Sequence, residues 1–375
     1  MKFFVSEEQA ELRGSVRRFM EDKSALAEVR RLMDTDTGYD PAVWSQMSDQ
    51  LGLQGLHIPE EYGGAGFSFQ ELAVVMEEMG RALYCGPYLS SAVLATSALL
   101  TSGDEAAKKT HLPRIASGTI ATLAFTEENG RWDADSIALA ARPDGDASHV
   151  NAWVLDGVKA FVPDGHIAEL ILVAGRTASG ISLFAVESRA DGLTATALPT
   201  MDQTRKLARL DLRGVTGRLI GQEGGAMDGL TGAFDLAAVA LAAEQVGAAQ
   251  RCLDMSVEYA KVREQFDKPI GSFQAIKHKC ADLLMEIESA RSAAYYGAWA
   301  AAEGSEELPA VASLAKAYCS EAGFHAAAET IQIHGGIGFT WEHDAHLFFK
   351  RASANQLFLG TPEEHRERLA QRIGV

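Results

Sequence analysis

The hydrophobic period changes twice along this chain of 375 residues, and that change constrains the fold more than any single motif. Up to about residue 119 the pattern is helical: Leu12, Val16, Phe19 and Met20 share a stripe with Gln9, and residues 71–81 carry another. From about 120 to 222 short β-type runs replace it, at 120–125, 136–141, 152–155, 170–174, 181–186 and 207–212. Clusters of Gly, Asp and Pro, such as 142–146, separate them. From about 223 long alanine-rich helical patterns return, over 227–259, 273–304, 309–334 and 344–358. Short strands at this spacing predict a small antiparallel sheet or barrel. Long helices with short links predict an antiparallel four-helix bundle. The expected fold is therefore mainly α with a central β domain. Its parts are an N-terminal helical domain over 1–119, a β-barrel or sheet domain over 120–222 and a C-terminal four-helix bundle over 223–375.

Charge and composition narrow the function. A net charge of −17 argues against nucleic acid, because neutralising phosphates needs a basic face. Any polyanionic ligand must be held by local cations or N–H groups against that field. Four scattered cysteines (Cys85, Cys252, Cys280 and Cys319) read as free thiols of a cytoplasmic protein. No uninterrupted apolar run reaches the roughly 18 residues of a membrane span, and the N-terminal segment, amphipathic with early acids, does not read as a signal peptide. No Gly-x-Gly-x-x-Gly follows a strand, so a Rossmann dinucleotide site is not supported.

Four stretches carry chemistry. Residues 263–278, from Arg263-Glu-Gln-Phe266 through a Pro-Ile-Gly turn to Phe273-Gln-Ala-Ile276, offer a guanidinium fork for phosphate and a ring for stacking. Residues 332–339, Gln332-Ile-His-Gly-Gly-Ile-Gly-Phe339, place three glycines in a turn after a helix, where another molecule can lie against bare backbone. Residues 122–130 lead through Phe125-Thr-Glu127 to Asn129-Gly130, followed by the run 156–165 that contains Lys159, Phe161 and Pro163. The loop 55–66 holds Pro59-Glu60 and a glycine cluster.

Together these stretches, in this order, resemble the acyl-CoA dehydrogenase family of FAD flavoproteins. The resemblance implies α,β-dehydrogenation of an acyl-CoA thioester. Arg263, Gln265, Phe266, Gln332, Gly335 and Gly336 fall on family positions that reach into the FAD site of a neighbouring subunit, so an oligomer is implied: a homotetramer, or a heterotetramer with a paralogous chain. Thr126, Phe161 and Thr361 fall on cofactor positions of the chain itself, and Asp235 and Arg205 are candidates beside the substrate, with Lys159 a further anion contact.

The departures from the family are as informative. Arg131-Trp-Asp133 replaces a Gly-Ser-Asp core, Pro163 stands where a hydroxyl is usual, and Ala238 where many members carry Arg. The reaction needs a carboxylate base within hydrogen-bond reach of the substrate α-carbon. Leu359, in Phe358-Leu-Gly-Thr361, occupies the usual glutamate position, and Ala237 the alternative one on the first bundle helix. Glu244, two turns further along that helix, is the remaining candidate base, or else an ion-pair partner for a bundle cation such as Arg351. The pair His343 and His346 lacks further ligands, so no metal is expected. Positions facing a neighbour's flavin are kept while those of the chain's own site are altered, a pattern similar to the heteromeric dehydrogenases of steroid side chains. Three readings follow: a dehydrogenase with an unusual base, a non-catalytic partner subunit completing a paralogue's FAD site, and a flavin enzyme such as an oxygenase that needs no such base.

Overall fold

The computed structural model describes residues 6–145 and 151–375. Helices come first: α1 (Glu7–Lys23), α2 (Leu26–Met33), α3 (Pro41–Asp49), α4 (Phe69–Arg81), α5 (Thr96–Leu100, continuing a π-helical turn Leu89–Ala95) and α6 (Glu105–Ala116). Of the expected α1 stripe, Val16 and Met20 are buried. Gln9 instead closes a capping box with Ser6, the two exchanging backbone-to-side-chain hydrogen bonds of 3.1 Å.

Among the described residues seven strands follow, β1 (Ala121–Ala124), β2 (Ala140–Pro143), β3 (Ala152–Pro163), β4 (Leu170–Thr177), β5 (Gly180–Glu187), β6 (Leu193–Leu198) and β7 (Leu207–Ile220). Pairing runs β4-β2-β3-β7-β5 and returns from β5 to β4, so the sheet closes on itself, with β1 on β4 and β6 on β7. The expected all-antiparallel sheet is in fact mixed, because β1 and β2 both run parallel to β4. The expected strand at 136–141 gives way to a 3-10 turn, Ala134–Ser136, that Asp133 caps, and pairing starts only at Ala140. Between Lys159 and Val162 the β3–β7 register slips, and the bulge holds Phe161 at φ 56°.

The chain then turns to α7 (Ala226–Val262), a hairpin of β8 (Glu264–Gln265) and β9 (Lys268–Pro269), α8 (Gln274–Ala302), α9 (Leu308–His334), α10 (Ala345–Leu357) and α11 (Pro362–Ile373). By length and composition α7 could cross a membrane, yet 56% of its most apolar window is buried inside the fold, as in a core helix.

Contacts divide the chain into two compact units, one of Met1–Arg31, Phe69–Tyr84 and Ala238–Val375, the other of Leu32–Ser68 and Cys85–Ala237. The second holds the sheet. In the first, α8 packs on α9, and α9 on α10 and α11, while α1 and α4 add a layer against α8. Its centre is built from small residues, Ala242, Val246, Ala290, Ala294, Ala315, Cys319 and Ala322. Small side chains let the helix backbones approach, most closely where α4 crosses α7. A Cβ at Gly80 would lie 1.9 Å from the Glu244 carbonyl oxygen, and one at Gly247 1.8 Å from that of Glu77. Backbone on both sides leaves no flexible atom to yield. Gly247→Ala is therefore predicted to destabilise the protein by about 3 kcal/mol, measurable by urea unfolding, whereas an unchanged midpoint would show that the crossing relaxes freely.

Candidate functional site

In the sheet-containing unit the Thr-Glu stretch is held from several directions. The Thr126 hydroxyl donates to the Ala160 carbonyl (2.6 Å), and Ala160 N–H donates back to the Thr126 carbonyl (3.0 Å). The Glu127 carboxylate accepts from Ala138 N–H, Leu139 N–H and the Lys159 ammonium (2.9 to 3.0 Å). Burial would raise the Glu127 pKa, but the Leu139 N–H and Lys159 outweigh it and hold the group below the usual range. Lys159 is 0% exposed and also donates to the Phe125 carbonyl; burial lowers its pKa to about 8 against the pull of Glu127. Fully buried and engaged in this way, it is neither the free anion contact that the sequence suggested nor a surface charge. Beside it the Phe161 ring is 41% exposed, thrown outward by the bulge.

The Arg131-Trp-Asp133 departure acquires a structural role. Trp132 stacks on Phe125 (5.8 Å, 5° between planes), and both meet Phe234 edge-on. This cluster fixes the loop to the first turns of α7, next to buried Asp235. Sequence reasoning saw the substitution but not the cluster, because Phe234 lies about a hundred residues away. Arg205 is half-buried, between exposed Met201 and the start of β7.

In the helical unit the structure brings two of the predicted segments together. Tyr259 near the end of α7 stacks on His334 at the end of α9 (4.4 Å), and His334 meets the His343 ring (4.3 Å). The hairpin after α7 and the glycine turn after α9 thus leave from adjoining helix ends. Arg263, Gln265, Gln332, Gly335 and Gly336 are exposed there, and the Phe266 ring is 86% exposed. Phe266 and Asp267 both have left-handed backbone (φ 56° and 59°), the geometry of a tight two-residue hairpin. Gly335 has φ 64°, and among the described residues no atom outside the adjoining backbone lies within 4 Å of a Cβ built at Gly335 or Gly336. Bare backbone, a guanidinium, two amides and an unburied ring at one place suit a diphosphate carrying a flat ring. At the same end His343 Nδ1 accepts from Ala345 N–H, and His346 Nε2 contacts the Trp341 carbonyl.

The final turn keeps an elaborate support. Leu359 is 2% exposed with φ 64°. Its carbonyl accepts from Arg368 (3.3 Å) and lies 3.1 Å from His365 Nε2. The next carbonyl, of Gly360, accepts from the Lys316 ammonium (3.1 Å). Thr361 caps α11 through a capping box with Glu364. Lys316, not anticipated from sequence, is 0% exposed and, among the described residues, bonds only to neutral oxygens, of Ser320, Gln356 and Gly360. A lone lysine on the face shared by Ala312, Ala315 and Cys319 was the available signal.

Burial lowers the Lys316 pKa from 10.5 to about 7. Between those values the unfolded chain binds the extra proton, so stability should rise with pH from about 7 upward. We predict that this slope, measured as unfolding temperature between pH 7 and 8, flattens in Lys316→Met; an unaltered slope would mean that the ammonium stays charged in the fold.

Neither expected base seat holds an acid, since Leu359 and Ala237 are both buried and apolar. Glu244 is buried and its Oε1 accepts from Arg351 and from Asn355, each at 3.1 Å. Arg351, itself buried, also donates to the Tyr84 carbonyl (3.4 Å). The carboxylate is thus engaged by the very cation that the sequence offered as its structural partner.

Comparison with known proteins adds the following. Residues 6–119, 122–213 and 227–374 match the family descriptions "Acyl-CoA dehydrogenase" N-terminal, middle and C-terminal domain. Acyl-CoA dehydrogenase IpdE2 of Mycolicibacterium smegmatis is 37% identical over 98% of this chain and 100% of its own length. Among solved structures, a variant of the Tcur3481-Tcur3483 steroid ACAD superposes with a TM-score of 0.87 at 30% identity, covering 99% of this chain and 98% of that one. The ChsE4-ChsE5 complex of Mycobacterium tuberculosis gives 0.88 at 29% identity, covering 100% and 99%.

Proposed function

The chain belongs to the acyl-CoA dehydrogenase family of FAD flavoproteins, and from that premise we propose that it is the flavin-completing subunit of a heteromeric acyl-CoA dehydrogenase whose base comes from a paralogous chain. The observation that carries this reading is the missing carboxylate: Leu359 and Ala237 fill both base seats, and Glu244 is committed to Arg351 and Asn355. Leucine and alanine cannot accept the α-proton.

FAD supplies the hydride acceptor when bound. The residues present fit it. Gly335 and Gly336 offer open backbone for the diphosphate, Arg263 a guanidinium beside them, and Gln265 and Gln332 amide donors. Because this face lies on the outside of the helical unit, it is suited to a neighbour's cofactor. The exposed Phe266, Phe339 and Trp341 around it gain burial if a second chain covers them. Thr126 and Phe161 would serve the chain's own flavin face, whereas Thr361 acts through the cap that holds the last turn. Two solved relatives, a steroid enzyme named for two chains and a two-chain complex, support a heteromeric assembly, and the first supports a steroid-type acyl group on the CoA thioester. Asp235 and Arg205 are the candidate contacts to that thioester.

The test is Arg263→Gln in the co-expressed assembly. Losing a charged hydrogen bond to phosphate should weaken flavin binding at least about tenfold, read by titrating flavin back into the stripped complex. Unchanged flavin affinity would contradict the trans role of this face.

A further inference from the structure

Within the helical unit, α1, α4 and α7 surround a pocket of about 300 Å³ that plays no part in the flavin-facing end. Its polar lining includes three arginines. Two are already neutralised: Arg17 Nε and Nη2 donate to Glu78 at 2.8 and 2.7 Å, and Arg81 Nη1 donates to Asp254 at 2.6 Å. The third, Arg251 on α7, is half-buried and has no hydrogen bond or ion pair to any described residue. A partly buried guanidinium without an acceptor is costly unless an anion joins it. The rest of the lining is largely apolar, with Met20, Leu26 and Ala82 facing the cavity. Exposed Glu21 lies on the same lining and disfavours a dianion.

We propose that this pocket is a binding site for a small apolar monocarboxylate. The carboxylate takes the free fork of Arg251, and the hydrocarbon part lies on Met20, Leu26 and Ala82. One carboxylate satisfies one guanidinium in a bidentate pair, and the volume admits a body of medium-chain size.

Calorimetric titration of the full-length protein with octanoate tests this, with 1-octanol and inorganic phosphate as the uncharged and non-apolar comparisons. Octanoate is expected to bind one to one, far more tightly than either comparison. Arg251→Gln should weaken it at least about tenfold, and Ala82→Phe, which fills the cavity, should abolish it with the unfolding temperature of both variants retained. Failure of octanoate to bind overturns the proposal. So does equal binding to Arg251→Gln, which would place the ligand in an acyl site elsewhere, and so does phosphate binding as tightly as octanoate.

Discussion

In an assembly with a paralogous chain that carries a glutamate at either base seat, acyl-CoA turnover should fall by about 10²–10⁴-fold when that glutamate becomes glutamine. The same change at Glu244 of this chain should leave turnover per assembled site unaltered. A base must meet the α-proton with a free lone pair. The two seats expected from the family resemblance, Leu359 and Ala237, are filled by carbon, and the oxygen of Glu244 that the structure engages is held by a guanidinium and an amide. Those donors occupy lone pairs of that oxygen. Stopped-flow measurement of flavin reduction separates the chemical step from assembly. Loss of reduction in Glu244→Gln, with the complex intact, would return the base to this chain.

The same pair makes a second strong prediction, about stability. Glu244 and Arg351 side chains are 4% and 3% exposed. Glu244→Ala leaves the Arg351 charge buried without its carboxylate, which should cost about 3–5 kcal/mol in urea unfolding. Replacing both partners together by apolar residues of similar volume should cost much less, since the penalty lies in the unpaired charge. A loss below about 1 kcal/mol for the single variant would mean that water reaches the pair, as at a surface salt bridge.

How much of this was legible beforehand depended on the range of the interactions. The long helices α7, α8 and α9 could be placed from their alanine-rich periodicity, because period survives over many turns. β6 was missed: Leu193–Leu198 alternates Thr and Ala and lies almost wholly exposed, so it has no apolar face to announce it. The motif residues Arg263, Phe266, Gly335 and Gly336 were visible as types, and the Glu244–Arg351 pair was foreseen as one of two roles. Their grouping at one site was implied by the family resemblance alone; the contact that brings the two helix ends together, Tyr259 stacking on His334, has no local signal. Lys159 reads as an anion contact from sequence because its burial on Glu127 and the Phe125 carbonyl, more than thirty residues away, is carried by no local pattern. Lys316 and the Gly80–Gly247 crossing escaped for the same reason, since one hydrogen bond to Gly360 and one helix crossing decide them.

The most direct test of the partner-subunit account is the visible spectrum of the purified protein, alone and co-expressed with a paralogous dehydrogenase chain. The chain alone is expected to be colourless or to carry a flavin that acyl-CoA does not bleach, and the co-expressed complex to be yellow and bleached by substrate. A stoichiometric flavin in the lone chain, reduced on adding an acyl-CoA, would contradict it.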